Sequence, residues 1–251
     1  MNTHVPGFLY PYVLAGAAAV VAAVLAGLNR SLKLARWPDA ERQSAWQQMA
    51  ALLVTWAALA VGLSAIGFYQ GSSSGLPTIQ YGVGIPIAFG ILLYLGWGTL
   101  RRALEATPQS WIVGVQVYRT LGLIFIILLL QGRMPGAFAW PAGVNDVLVG
   151  LFAPVVALAY SRRWTNAARW VRVWNWFGIA DLVSALTTGF LTSPSPLQKL
   201  AFDSPNVLIS AFPLVLVPVF LVPLSILLHL ASLKKLQQAG AGEASRRPAL
   251  A

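Results

Sequence analysis

Seven long apolar stretches, each separated from the next by a short polar one, follow one another along the chain, near 8–28, 47–68, 81–100, 110–131, 139–160, 171–191 and 206–232. A helix needs about 20 mostly apolar residues to cross a bilayer, and each stretch meets that length. The pattern predicts an all-α, polytopic membrane helical bundle with seven transmembrane helices over residues 1–238. A Gly/Ala-rich disordered tail is expected over 239–251. No basic residue precedes the first stretch, which is too long for an ordinary signal-peptide core, so it reads as the first span.

The polar connections sort by charge. Arg30, Lys33, Arg36 and Arg42 fall in the first, Arg101 and Arg102 in the third, and Arg162, Arg163, Arg169 and Arg172 in or beside the fifth; Lys234, Lys235, Arg246 and Arg247 follow the last span. The second connection has no basic residue, the fourth only Arg133 and the sixth only Lys199. The positive-inside rule then puts the N-terminus outside and the C-terminus in the cytoplasm, which an odd number of spans permits.

Composition narrows the chemistry. The chain is 57% hydrophobic and 10% charged, well below the quarter or so expected of a soluble domain. Its formal charge of +10 resides largely in the cytoplasmic connections, which points to anionic lipid at that face and away from nucleic acid. Without cysteine there is no thiolate metal site, disulfide or cysteine nucleophile, and two histidines, His4 and His229, are too few for a histidine-based metal or haem site. No cofactor is expected. A retinal Schiff base is excluded because Lys33, Lys199, Lys234 and Lys235 all lie away from mid-span.

Local signals add detail. Ala15, Ala19, Ala23 and Gly27 in the first span, and Gly82, Pro86 and Gly90 in the third, form small-residue ridges for close helix packing. Pro213, Pro218 and Pro223 predict a kinked last helix, with Ile209, Leu214 and Val219 losing their carbonyl partners, and are candidates for a gate or hinge. Ser195-Pro196-Leu197-Gln198 reads as a capping box opening a short surface helix to about Phe202. Arg30 to Trp46 suggests an amphipathic stretch on the cytoplasmic surface.

Three charges interrupt the apolar stretches: Arg119, Asp146 and Asp181. An ionisable side chain within a membrane is costly, so each marks a candidate site. Helical rise puts Arg119 about 14 Å and Asp181 about 15 Å in from the cytoplasmic side, and Asp146 about 10 Å in from the other, at similar depths on consecutive spans. Gln116 shares a face with Arg119; Asp146 aligns with Gly150, Ala153 and Ala157 beside Asn145; Asn175, Gly178, Asp181, Ala185 and Thr188 make one stripe with Ser184 at its edge. The expectation is an Asp–Arg–Asp substrate or proton site, with Gln116, Asn145, Asn175, Ser184 and Thr188 around it. Two acids facing one guanidinium leave one negative charge over, which suits proton uptake.

Gln116-Val-Tyr-Arg119, Pro135 to Asp146, and Trp174-Asn-Trp-Phe-Gly-Ile-Ala-Asp181 together resemble a group of uncharacterised bacterial integral membrane proteins. The group is expected to share a proline-rich final helix ending near a histidine, here Pro223 and His229, and to carry glycine where Asn145 stands. The resemblance implies a multi-pass protein of the bacterial inner membrane and supplies no activity.

Two functional readings follow. One is a proton-coupled transporter or channel for a small solute or ion, in which Arg119 fixes an anionic group or balances the acids. The other is a non-catalytic structural or accessory membrane subunit, open to oligomerisation, whose cluster only holds helices together. An intramembrane aspartyl hydrolase or a sensor ranks below both: Gly143-Val-Asn-Asp146 departs at Asn145 from the Gly-x-Gly-Asp pattern such hydrolases carry.

Overall fold

The computed structural model describes residues 4–71 and 75–245, and among these the chain is all helical with no strand. The elements are α1 (Leu9–Leu34), α2 (Asp39–Ala65), α3 (Ile79–Gly96), α4 (Gly98–Ala106), α5 (Gln109–Gly114), a 3-10 segment (Val115–Gly122), α6 (Leu123–Leu130), α7 (Gly136–Ser161), α8 (Ala167–Thr192), a 3-10 turn (Leu208–Ser210), a π turn (Val217–Leu221) and α9 (Val222–Ser245). Six units are long and apolar enough to cross a membrane: α1, α2, α3, Gln109–Leu130, α7 and Val217–Gly240. The sixth expected span, α8, has the length at 26 residues. It is not among the six, and Asn175, Asp181, Ser184, Thr187 and Thr188 all lie within it.

Cross-links define the two ends of the bundle. At one, Arg102 of α4 pairs with Glu41 of α2 at 2.9 Å and lies over the Trp37 ring, while Lys235 of α9 donates to the Glu105 carbonyl. At the other, Arg133 donates to the His4 carbonyl at 3.1 Å, and Gly71 N–H reaches Ser210 Oγ at 3.3 Å. The basic connections therefore gather at the first end.

Four local readings change. The stretch Arg30 to Trp46 is no separate amphipathic element, because α1 runs to Leu34 and α2 starts at Asp39, with Arg36 taking a positive φ in the turn between. The capping box opens no helix: Ser195 Oγ accepts the Leu197 N–H in a local turn, and Lys199 and Leu200 N–H both bond the Leu191 carbonyl. The last span is not helical from 206. The chain folds back through buried Asn206, Leu208 and Ile209, includes a cis Phe212–Pro213 bond, and becomes regular only at Val217. Leu214, which Pro218 deprives of a partner, gives its carbonyl to Val217 N–H at 3.0 Å. The terminal helix continues through Ser245, seven residues into the stretch expected to be disordered. Residues 246–251, and most of the Ser72–Gly75 loop, lie outside the described residues.

The fourth span also departs from a uniform α-helix. β-branched Val115, Val117 and Thr120, with Gly114 and Gly122 at the flanks, weaken the α preference of this segment. It winds as 3-10, in which residues three apart eclipse one another. Its buried residues are Gln116, Arg119 and Gly122, one face at a spacing of three. The Leu121 carbonyl accepts from Tyr12 of α1 at 2.8 Å, and the Tyr118 hydroxyl meets Ser225 Oγ of α9 at 2.6 Å.

Helix α7 lies against this segment at backbone distance. A Cβ on Gly150 would sit 2.5 Å from Thr120 N, and one on Gly122 would sit 2.5 Å from Asp146 Cβ. Gly150→Val is therefore expected to cost at least the 1–3 kcal/mol or so of an overpacked core. Gly84→Ala, which meets nothing within 4 Å, should leave the melting temperature within a few degrees of wild type. Thermal unfolding of the two purified variants in detergent checks the contrast.

Candidate functional site

Arg119 projects from the 3-10 face into the seam between α7, α8 and α9. Its Nε donates to Asp146 Oδ1 at 2.7 Å, and its Nη2 approaches the same oxygen at 2.5 Å. Nη2 also pairs with Asp181 Oδ2. Nη1 donates to the Gly178 carbonyl at 3.3 Å and faces His229 Nε2 at 3.3 Å. These five contacts use the five N–H bonds a guanidinium possesses. Arg119, Asp146 and Asp181 are 3%, 9% and 4% exposed. The three charges singled out in the sequence thus meet at one buried point.

Sequence reasoning passed over His229, reading it as a lone interfacial side chain; it is fully buried. Its Nδ1 lies 2.9 Å from Asn175 Oδ1, and its ring packs on Trp174 with centroids 5.0 Å apart. The Asn175 amide orientation is fixed because its Nδ2 donates to the Val171 carbonyl at 2.7 Å. Oδ1 therefore faces the histidine and can only accept, so Nδ1 carries the proton. Nε2 is left as a lone pair toward Arg119, which can only donate. His229 is accordingly held as the neutral Nδ1–H tautomer. The sequence clue was position: His229 follows Ser225 by one turn and precedes Ser232 by three residues, a polar stripe on an apolar helix.

The polar chain continues toward the basic end. Asn175 Nδ2 donates to Ser232 Oγ at 2.8 Å, and Gln109 Nε2 donates to the same hydroxyl at 2.5 Å and to the Ser232 carbonyl at 3.2 Å. All three residues are buried. Gln109, Ser225 and Ser232 were not anticipated either.

The remaining expected neighbours divide. Asn175 belongs to the cluster. Gln116 is fully buried, and the Asn145 amide stands beside the Asp181 carboxyl. Thr188 turns its hydroxyl back onto its own helix, to the Ser184 carbonyl at 2.9 Å, and Thr188 and Ser184 are only half-buried. Neither bonds the charged groups. Pro213 lies in the irregular turn, and Pro218 and Pro223 sit at the π turn and the start of α9.

Two small cavities touch Asp146. One, about 30 Å³, lies between Tyr12, Tyr118, Arg119 and Ser225. The other, about 50 Å³, extends from Gly71, Pro194 and Ser210 at the non-basic end, past Pro218 and Leu182, to Asp146. Each has room for a water molecule.

Residues 76–237 match the family described as Domain of unknown function (DUF8737). The chain belongs to that family. The match takes in the third to seventh expected spans whole, and with them every residue of the cluster. No curated protein and no solved structure matches the chain. Membership of a family without assigned activity agrees with the resemblance drawn from the motif residues.

Removing the shared cation tests how far the DUF8737 core relies on it. Arg119→Met leaves two buried carboxyls without their partner and should cost about 3–5 kcal/mol, the usual loss when half of a buried pair is removed. Adding Asp146→Asn and Asp181→Asn should restore much of that loss, and melting curves of the single and triple variants measure the recovery.

Proposed function

We propose that this chain is a seven-span protein of the bacterial inner membrane, with its N-terminus outside and C-terminus in the cytoplasm, which moves a small solute or ion in exchange for, or together with, protons. The carrying observation is the imbalance of the buried cluster, in which two carboxyls, Asp146 and Asp181, share the single guanidinium of Arg119. A second buried negative charge at this depth is costly. A proton on Asp181 removes that cost and brings the cluster to neutrality: Asp146 negative, Arg119 positive, Asp181 and His229 uncharged.

In this reading α8 completes the seven spans. Its polar residues Asn175 and Asp181 are buried among α7, α9 and the 3-10 segment, while Val173, Trp176, Phe177 and Val183 are exposed as a lipid-facing surface. Such a helix crosses a bilayer despite its lower apolarity, because its polar groups face protein.

Access supports proton handling. The cavity of about 50 Å³ between Asp146 and the non-basic end has room for a water molecule. The chain His229–Asn175–Ser232–Gln109 approaches from the basic end. The cluster lies between the two. Arg119 serves here as the fixed counter-charge, since its N–H groups are all engaged and none is free for an anionic substrate. Pro218 lines the outer cavity next to the π turn, which suits a hinge there. An aspartyl hydrolase fits poorly, because the guanidinium is bonded to both acids where the attacking water would sit.

One observation favours the alternative of an accessory subunit with a purely structural cluster: Arg119 is saturated and hardly exposed. Proteoliposomes holding a pH-sensitive dye separate the readings. Wild type should collapse an imposed pH gradient in the presence of its solute or ion, and Asp181→Asn and Asp146→Asn should not; Asp181→Asn, which keeps the Arg119–Asp146 pair, should still melt close to wild type. Gradient collapse that persists unchanged in both variants would falsify the relay.

Orientation has its own check. The chain has no cysteine, so Ser44→Cys and Ser204→Cys each introduce one thiol at an exposed position. A membrane-impermeant maleimide added to intact cells should label Ser204→Cys and spare Ser44→Cys. The reverse pattern would invert the topology.

A further inference from the structure

Away from the cluster, α3 stands apart from α2 and leaves a lateral groove of about 1100 Å³. Leu59 and Leu63 of α2 form one wall, Ile85 and Phe89 of α3 the other, and Leu224 and Leu228 of α9 lie along it. Along α9 it reaches from Val219 to Lys234, about 22 Å at helical rise. One leaflet of hydrocarbon is about 15 Å deep, so the groove accepts a full-length chain entering from the basic end.

The character of the walls selects the occupant. Transmembrane helices associate through exposed small residues. The glycines that α3 turns to the groove are already covered: a Cβ on Gly82 would lie 2.7 Å from Val219 Cγ1, and one on Gly90 would lie 2.6 Å from Leu227 Cδ1, while Gly84 and Ala88 are exposed but do not line it. What α3 and α2 turn to the groove is bulky, with Leu59 59% and Ile85 62% exposed. Bulky flexible walls fit a disordered acyl chain better than a rigid helix.

The basic rim supplies charge. Lys234 and Gln237 border the groove there and are exposed. Lys235, one residue on, is engaged with the Leu104 and Glu105 carbonyls, whereas Lys234 makes no ion pair among the described residues. An ammonium beside an amide at the mouth of an apolar groove matches a phosphate headgroup with a net negative charge.

We propose that this groove is a binding site for an anionic phospholipid, with an acyl chain between α2 and α3 and the headgroup phosphate at Lys234 and Gln237. The assignment does not depend on proton handling at Asp181.

The test reconstitutes the full chain in nanodiscs of mixed phosphatidylglycerol and phosphatidylcholine. Native mass spectrometry after mild detergent extraction counts the lipids that stay bound. Wild type should retain phosphatidylglycerol over phosphatidylcholine by about fivefold, the factor that one lysine contributes at a membrane surface. Lys234→Gln should retain lipid with the preference reduced to near unity. Leu59→Trp should lose both lipids, and because that side chain is exposed the fold should survive; Ile85→Trp on the facing wall repeats the test if it does not. Absence of retained lipid on wild type, or an unchanged preference in Lys234→Gln, overturns the proposal. So does efficient disulfide formation between two Leu59→Cys copies, which would show the groove covered by a second chain.

Discussion

One guanidinium holds two carboxylates inside a bundle whose other buried polar side chains, among the described residues, are uncharged. A charged side chain at bilayer mid-depth costs roughly 2.5–3.5 kcal/mol even on insertion scales that allow relaxation. Three such residues on three consecutive long helical stretches are tolerated because each meets another, and because Gly178 and His229 use what remains of the arginine. The rest of the architecture serves that meeting. Gly150 and Gly122 let α7 approach the 3-10 segment closely enough for Asp146 to reach Arg119. Gly178 lets the His229 ring lie directly against α8, where a Cβ would strike it.

Charge balance links packing to chemistry. Two acids and one permanent cation form an odd set, and the histidine that completes the group is bonded so that it stays neutral. Arg119 fixes the position of both acids, and Asn145 stands beside the second of them, Asp181. Two cavities of water size lie beside Asp146.

Much of this was legible in the sequence, and the remainder was hidden for physical reasons. Apolar runs gave the helices because a bilayer allows few alternatives to a helix of about that length. Arg119, Asp146 and Asp181 announced themselves because charge is rare in such runs. His229 and Ser232 did not, since single polar residues near a span end are common and only α9's contact with α8 makes these two a chain. The surface helix expected at Ser195 failed because a capping signal is local, whereas the Leu191 carbonyl drew the following N–H groups back toward α8. The uneven last span was half visible: its prolines announced broken bonds, but not that the chain would double back before Val217. The lateral groove had no sequence signature at all, because lipid-facing and groove-facing leucines look alike.

The tight winding at Val115–Gly122 reaches beyond those eight residues. A 3-10 helix turns about 120° per residue and an α-helix about 100°, so eight residues accumulate roughly 160° of extra rotation. Everything after Gly122 is thereby turned almost to the opposite side of where an unbroken α-helix would carry it. Extending the buried Gln109–Ile112–Val113 face of α5 as α would send Leu123 and Leu130 inward, yet they are 48% and 78% exposed, while Ile124, Phe125 and Leu128 are buried. The two halves of this span therefore present their apolar faces in mutually consistent directions only while the segment stays overwound. A local change of pitch beside Arg119 would therefore swing the Leu123–Leu130 half of the helix about its axis.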